Sequence, residues 1–208
     1  MSINSINLPG TVFGSALNKD NQLLLDVRDE KKQTITYYQL DLHSLSLVKL
    51  PFANAEWWTK LVSADSEALY FTKYKDRSDP NSKAFFKAVL GGKQAVEVDE
   101  TPLSNTEVKY PTLYEVETPH HQTVSDFLGL DLPLSCEYEE WENKIIISYY
   151  LRSDNAFDRF LLLLDNGKKE WKLHQDRRMK GFSPGAFFIH QNQLIFFKEL
   201  NEVCTYPL

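Results

Sequence analysis

The chain has 208 residues, 42% of them hydrophobic and 13% aromatic, with a formal net charge of −6. A chain of that length buries roughly 70% of its unfolded surface and needs neither disulfide nor metal to fold. The negative charge excludes sequence-independent nucleic-acid binding, which needs a basic face. No run approaches the ~20 apolar residues that span a bilayer as a helix.

Residues 1–10 hold neither a basic leader nor an apolar core, so a secretory signal is not expected. Weak alternation predicts a first strand at 11–17. Strands at 23–28 and 34–42 follow, the latter alternating through Ile35 and Tyr37, and a strand at 46–50 ends at Pro51. A second set of four runs 57–63, 68–75, 83–90 and 94–98. Turn chemistry at Asp79-Pro80-Asn81-Ser82 joins its central pair, and Gly91-Gly92 precedes the last strand. The two sets are offset by 46 residues, from Leu23 to Leu69, which matches the ~40–50 residues of a four-stranded propeller blade.

The middle of the chain breaks this rhythm. Residues 108–117 predict one or two strands interrupted by Pro111, at best half a blade. A helix is then predicted through Leu128, with Thr118 as its cap and Pro119 in its first turn. Val124, Phe127 and Leu128 would share its apolar face, and Gly129 would end it. Strands resume at 134–140, 144–151, 157–164 and 169–173, the last pair joined by Asn166-Gly167, a strong hairpin signal. Residues 186–190, 193–199 and 203–206 begin a further unit. A strand from the N-terminal segment would complete it and hide its edge.

An apolar strand, a charged turn and a second apolar strand thus recur at least three times. The turns carry Arg28-Asp29, Lys75-Asp76-Arg77 and Arg152-Ser153-Asp154. The expected fold is a single all-β domain over residues 1–208, β-propeller-like, with about four to five blades and one short inserted helix. A bent β-sandwich is the alternative.

Several landmarks reinforce this. They are Leu25-Asp26-Val27-Arg28-Asp29, Trp57-Trp58 with Leu61, Tyr74-Lys75-Asp76 with Pro80, Glu137-Tyr138-Glu139-Glu140 with Ile147-Ser148-Tyr149-Tyr150, and Gln193-Leu194-Ile195-Phe196. Together they resemble an uncharacterised family of Bacteroidetes proteins that carries a domain of unknown function. The resemblance implies a β-propeller-like fold in a soluble bacterial protein, and no activity comes with it.

The residues that could bind a ligand are the turn charges Arg28, Asp29, Lys75, Asp76, Arg152 and Asp154 together with Trp57 and Trp58. In a propeller such turns gather around one mouth, where carboxylates and cations suit a polar ligand, whereas hairpin tips are charged in any protein. If Trp57 and Trp58 lie on a strand, their rings point to opposite faces, one into the core and one towards a sugar or a protein partner. Converging Asp29, Asp76 and Asp154 would suit a carbohydrate-active enzyme or a sugar-binding propeller.

His120-His121 and the distant Cys136 and Cys204 match no metal or redox spacing, and no Gly-x-Ser-x-Gly elbow or phosphate loop is present. No catalytic residue, metal or cofactor is therefore expected. The alternating Glu137, Glu139, Glu140 and Glu142 predict a solvated strand face, and the basic stretch 168–180 predicts a surface loop. The expected protein is a cytoplasmic, non-catalytic binding or scaffold module. Its partner would be a protein or a small polar ligand, with neither nucleic acid nor membrane involved.

Overall fold

A computed structural model describes residues 2–208 except Lys19, Asn21, 52–56, Trp58, Ser66, 77–78, 80–81, Lys93 and 100–106. Among the described residues it is all-β apart from one helix, with four antiparallel sheets in which consecutive strands are neighbours, except that the first strand pairs with the last. By compactness the chain divides into two units, Ile6–Thr106 and Met1–Ser5 with Glu107–Leu208.

The first unit holds two four-stranded meanders. One contains β1's successor strands β2 (Thr11–Leu17), β3 (Gln22–Asp29), β4 (Thr34–Asp41) and β5 (Leu47–Lys49), where β1 is Asn4–Asn7. The other contains β6 (Lys60–Ala64), β7 (Ala68–Tyr74), β8 (Lys83–Val89) and β9 (Ala95–Val98). β3 is buried from Leu23 to Arg28, which is why its sequence reads as an apolar run rather than an alternation. Leu24 and Tyr37 of the first sheet meet Leu61, Leu69 and Phe71 of the second in one core, with the Tyr37 and Phe71 rings 5.1 Å apart. Both sheets also bulge at the same place in their first strand pair. Phe13 is the extra residue between Val12 and Gly14, and Val62 the extra residue between Leu61 and Ser63. A shared bulge is independent evidence of a repeat, because bulges re-aim side chains at defined positions.

The second unit is built around a five-stranded sheet: β10 (Thr112–Tyr114), β11 (Cys136–Trp141), β12 (Lys144–Ser153), β13 (Ala156–Asp165) and β14 (Lys168–Met179). One face, with Ile146, Leu161 and Leu163, packs on Phe187, Ile189, Leu194 and Phe196 of a fourth sheet. That sheet has the order β1-β17-β16-β15, from β15 (Phe187–His190), β16 (Gln193–Lys198) and β17 (Glu202–Pro207). The N-terminal strand does complete the last meander. The opposite face of the five-stranded sheet, with Ile147, Tyr149, Leu162 and Leu164, is covered by Val124 of α1 (Pro119–Leu128).

The helix forms as its caps predict. The Thr118 hydroxyl accepts from the His121 N–H at 3.3 Å, Pro119 occupies the first turn, and Gly129 ends the helix at φ 64°. Asn166 and Gly167 both take positive φ, as a two-residue hairpin turn requires.

Four expectations are corrected. Phe127 is 56% exposed rather than on the buried face of the helix. Trp57 lies in a turn ahead of β6 and not on a strand; Trp58 lies outside the described residues. Residues 168–179 form the strand β14, which bears out the strand expected at 169–173 and overturns the surface loop expected for the basic stretch. Glu137 and Glu139 are buried instead of solvated, because each carboxylate has partners. Glu137 accepts from the Gly185 and Ala186 N–H groups at 2.6 and 2.9 Å, and Glu139 pairs with Lys109 at 2.6 Å.

Candidate functional site

In the first unit, the β2–β3 end of one sheet and the segment entering the next enclose a cavity of about 460 Å³. Its walls include Phe13, Arg28, Trp57, Lys60, Tyr74 and Lys83. Each wall has a local cause. The bulge turns Phe13 outward, leaving it 55% exposed for a large apolar ring. Arg28 shares the β3 face of Leu24 and so points towards the second sheet. Tyr74 and Lys83 pair across the hairpin end of β7 and β8.

Arg28 is the keystone of this wall. Its Nε and Nη2 donate to the Asp26 carboxylate at 3.3 Å each. Nη1 donates to the Trp57 carbonyl at 2.7 Å and Nη2 to the Thr59 carbonyl at 2.5 Å. The guanidinium carbon lies 3.5 Å from the centroid of the Phe13 ring and 5.2 Å from that of Trp57. The buried cation thus ties the connecting segment to the first sheet and braces two aromatic walls. Burial pushes the Asp26 carboxyl up from its ordinary range, and Arg28 opposes that rise. With its donors committed to Asp26 and two carbonyls, Arg28 holds the site in shape. The charges presented to the opening are those of Lys60, Lys83 and Glu30, all exposed.

The second unit repeats the device with other residues. Arg159 pairs with Asp176 through Nε at 2.6 Å, and its Nη1 donates to the Ser183 carbonyl at 3.2 Å. Ser183 lies in the segment entering β15, where Glu137 also takes its two backbone amides. Register shifts between β13 and β14 at Arg159 and Phe160 re-aim the strand at the pair. In each unit a buried arginine–aspartate pair on one sheet holds the chain entering the next. Neither clamp was legible as such in the sequence, where Arg28 ends the strand expected at 23–28 and Asp26 sits two residues before it on the same face.

The structure brings two of the expected residues, Arg28 and Trp57, into one cavity wall. Asp29 lines a shallower pocket beside Arg28, but its carboxylate caps the turn, accepting from the Lys31 and Lys32 N–H groups at 3.1 Å. The Lys32 amide and side chain hold its carboxyl below the ordinary range. Lys75 pairs with Glu97, and the Asp76 N–H donates to the Ser82 hydroxyl at 2.9 Å within its own hairpin. In the second unit, Arg152 and Asp154 sit exposed at the β12–β13 tip. Arg152 lies over Phe157, and Asp154 adopts a φ of 52°. The residues the sequence left out are Phe13, Lys60, Tyr74 and Lys83. A weakly alternating strand gave no hint that a bulge would expose Phe13.

Among the described residues no cluster of histidine, cysteine or acidic groups is arranged to hold a metal ion, and no helix is long and apolar enough to cross a membrane. Cys136 and Cys204 are free and buried, and burial pushes their thiols up to about 11 and about 12. Compared with known proteins, the chain matches no family model and no curated sequence.

Proposed function

We propose that this chain is a non-catalytic binding module whose cavity behind Arg28 holds a ring-bearing ligand with an acidic group. The observation that carries the reading is the pairing of wall chemistries. Aromatic rings of Phe13, Trp57 and Tyr74 offer flat faces, and Lys60 and Lys83 offer positive charge beside them. A rigid Arg28 clamp behind those rings supports binding without large rearrangement.

A sugar ligand is the second reading, since aromatic platforms stack on pyranose faces. Glycoside hydrolysis needs one carboxyl kept protonated. Asp29, held below its ordinary range, supports the binding side of that alternative over the hydrolytic one.

The same proposal extends to the build and setting of the protein. Four meanders, bulges shared by the first two sheets, and a last sheet completed by β1 support a four-bladed propeller. Two buried free thiols support a reducing, cytoplasmic setting. Membership of the Bacteroidetes family is proposed on the sequence landmarks alone.

The test is a titration with hexuronic acids and aromatic carboxylates, each beside its uncharged ester, followed by tryptophan fluorescence and calorimetry. The acids should bind, and Lys83→Ala should weaken them several-fold, the range of a partly exposed ion pair. Equal binding of acid and ester, or no effect of Trp57→Phe and Lys83→Ala, would sink the reading.

A further inference from the structure

The second unit carries another cavity, about 230 Å³, between α1 and the β10–β11 strands. Tyr114, His120, Phe127, Tyr138, Glu140 and Ile145 are in its lining. The rings of His120, Tyr114 and Tyr138 form a continuous stack, with centroids 5.1 and 5.6 Å apart. Phe127 lines the cavity from the helix side and is 56% exposed. That exposure has no packing reason, since Val124 and Leu128 already seat the helix on the sheet.

The electrostatics of this slot are one-sided. Tyr138 Oη donates to Glu140 Oε1 at 2.6 Å, and Thr123 Oγ1 donates to the Pro119 carbonyl at 2.9 Å. Those two hydroxyls therefore spend their protons inside the protein, which leaves Glu140 as the acidic group of the lining. Glu140 Oε2 has no bonded partner among the described residues. Lys109 bonds the Glu140 backbone carbonyl and pairs with Glu139. Glu139 and Trp141, which Lys109 overlies, belong to the opposite face of β11. Burial and Glu140 push the Tyr138 phenol up, so it stays a neutral donor at physiological pH.

From this arrangement of rings and carboxylate we propose that the α1–β11 cavity is a second ligand site, built for a compact organic cation such as a quaternary ammonium group. Aromatic faces attract cations through their quadrupoles, and a carboxylate at the rim adds a full opposite charge. The volume falls below the roughly 300 Å³ at which drug-sized pockets begin, and so suits a small head group. This site is independent of the cavity behind Arg28.

The experiment titrates the full chain with choline and with its uncharged carbon isostere, reading calorimetry and proton NMR shifts of the tyrosine rings. Choline is expected to bind at least about tenfold more tightly than the isostere, which has the same shape and no charge. Glu140→Gln should cost about tenfold, and Phe127→Ala roughly threefold, as befits an exposed cation–aromatic contact. Both side chains are exposed, so thermal melting should not move, and Trp57→Phe in the other unit should leave choline binding intact. Equal affinity for the isostere, an unaffected Glu140→Gln variant, or no response at millimolar choline would each overturn the proposal.

Discussion

Replacing Arg28 with methionine tests the clamp directly. The side chain keeps its length and apolar stem but loses both bonds to Asp26 and the bonds to the Trp57 and Thr59 carbonyls. Asp26 is fully buried, so the change strands a carboxylate away from water. Removing one partner of a buried ion pair costs about 3–5 kcal/mol, a large share of a total stability of about 5–15 kcal/mol. With a denaturant slope near 2–3 kcal/mol/M, the urea midpoint should fall by about 1–2.5 M. A second change, Asp26→Leu, removes the stranded charge, so the double variant should regain at least half of the loss. Urea unfolding followed by tryptophan fluorescence reads both. A loss under about 1 kcal/mol for Arg28→Met, or a double variant no more stable than the single one, would refute the clamp.

Four further outcomes follow from the same contacts. A Cβ at Gly10 would lie 2.6 Å from the Arg28 carbonyl oxygen, so Gly10→Ala should destabilise by about 1–3 kcal/mol in a thermal or urea melt. Burial raises the carboxyl of Glu137 in the folded state, so its stabilisation is complete below the ordinary value of 4.5 and is lost as pH rises through the raised folded value. The stability of wild type relative to Glu137→Gln should therefore decline as pH climbs above 4.5, and a flat difference in urea midpoints would contradict the assignment. Both thiols should resist a disulfide reagent at pH 8 until the chain is unfolded, because burial holds them protonated; rapid labelling of native protein would count against that. Deleting residues 2–7 should destabilise the second unit, exposing the β17 edge to proteolysis and removing Ile3 from its core.

The hairpins were legible because their signals are local. Asn166-Gly167 requires positive φ, Thr118 and Gly129 cap a helix, and apolar runs such as Leu23-Leu24-Leu25 mark strands buried on both faces. What stayed hidden depends on partners distant in sequence. Glu137 reads as a solvated strand residue until the Gly185 and Ala186 amides, almost fifty positions away, are placed against it. Arg28 reads as a turn charge for the same reason, its carbonyl partners lying about thirty positions on. Lys75, Arg152 and Asp154 do behave as turn charges, so composition alone could not separate them from Arg28. The cavity was legible only in part, since its aromatic wall rests on a bulge that alternation does not encode.

The pairing of β1 with β17 also sets the order in which the chain can finish folding. Its two strands lie roughly 200 residues apart, so their contact closes a loop spanning nearly the whole chain. At translation speeds of about 5–20 residues per second, β1 waits about 10–40 s for its neighbour to be made. Residues 6–106 can collapse into their own core during that interval. The waiting strand is short and polar, Asn-Ser-Ile-Asn, with a single aliphatic side chain to misplace. A segment that stays unpaired that long is thereby poorly suited to template aggregation.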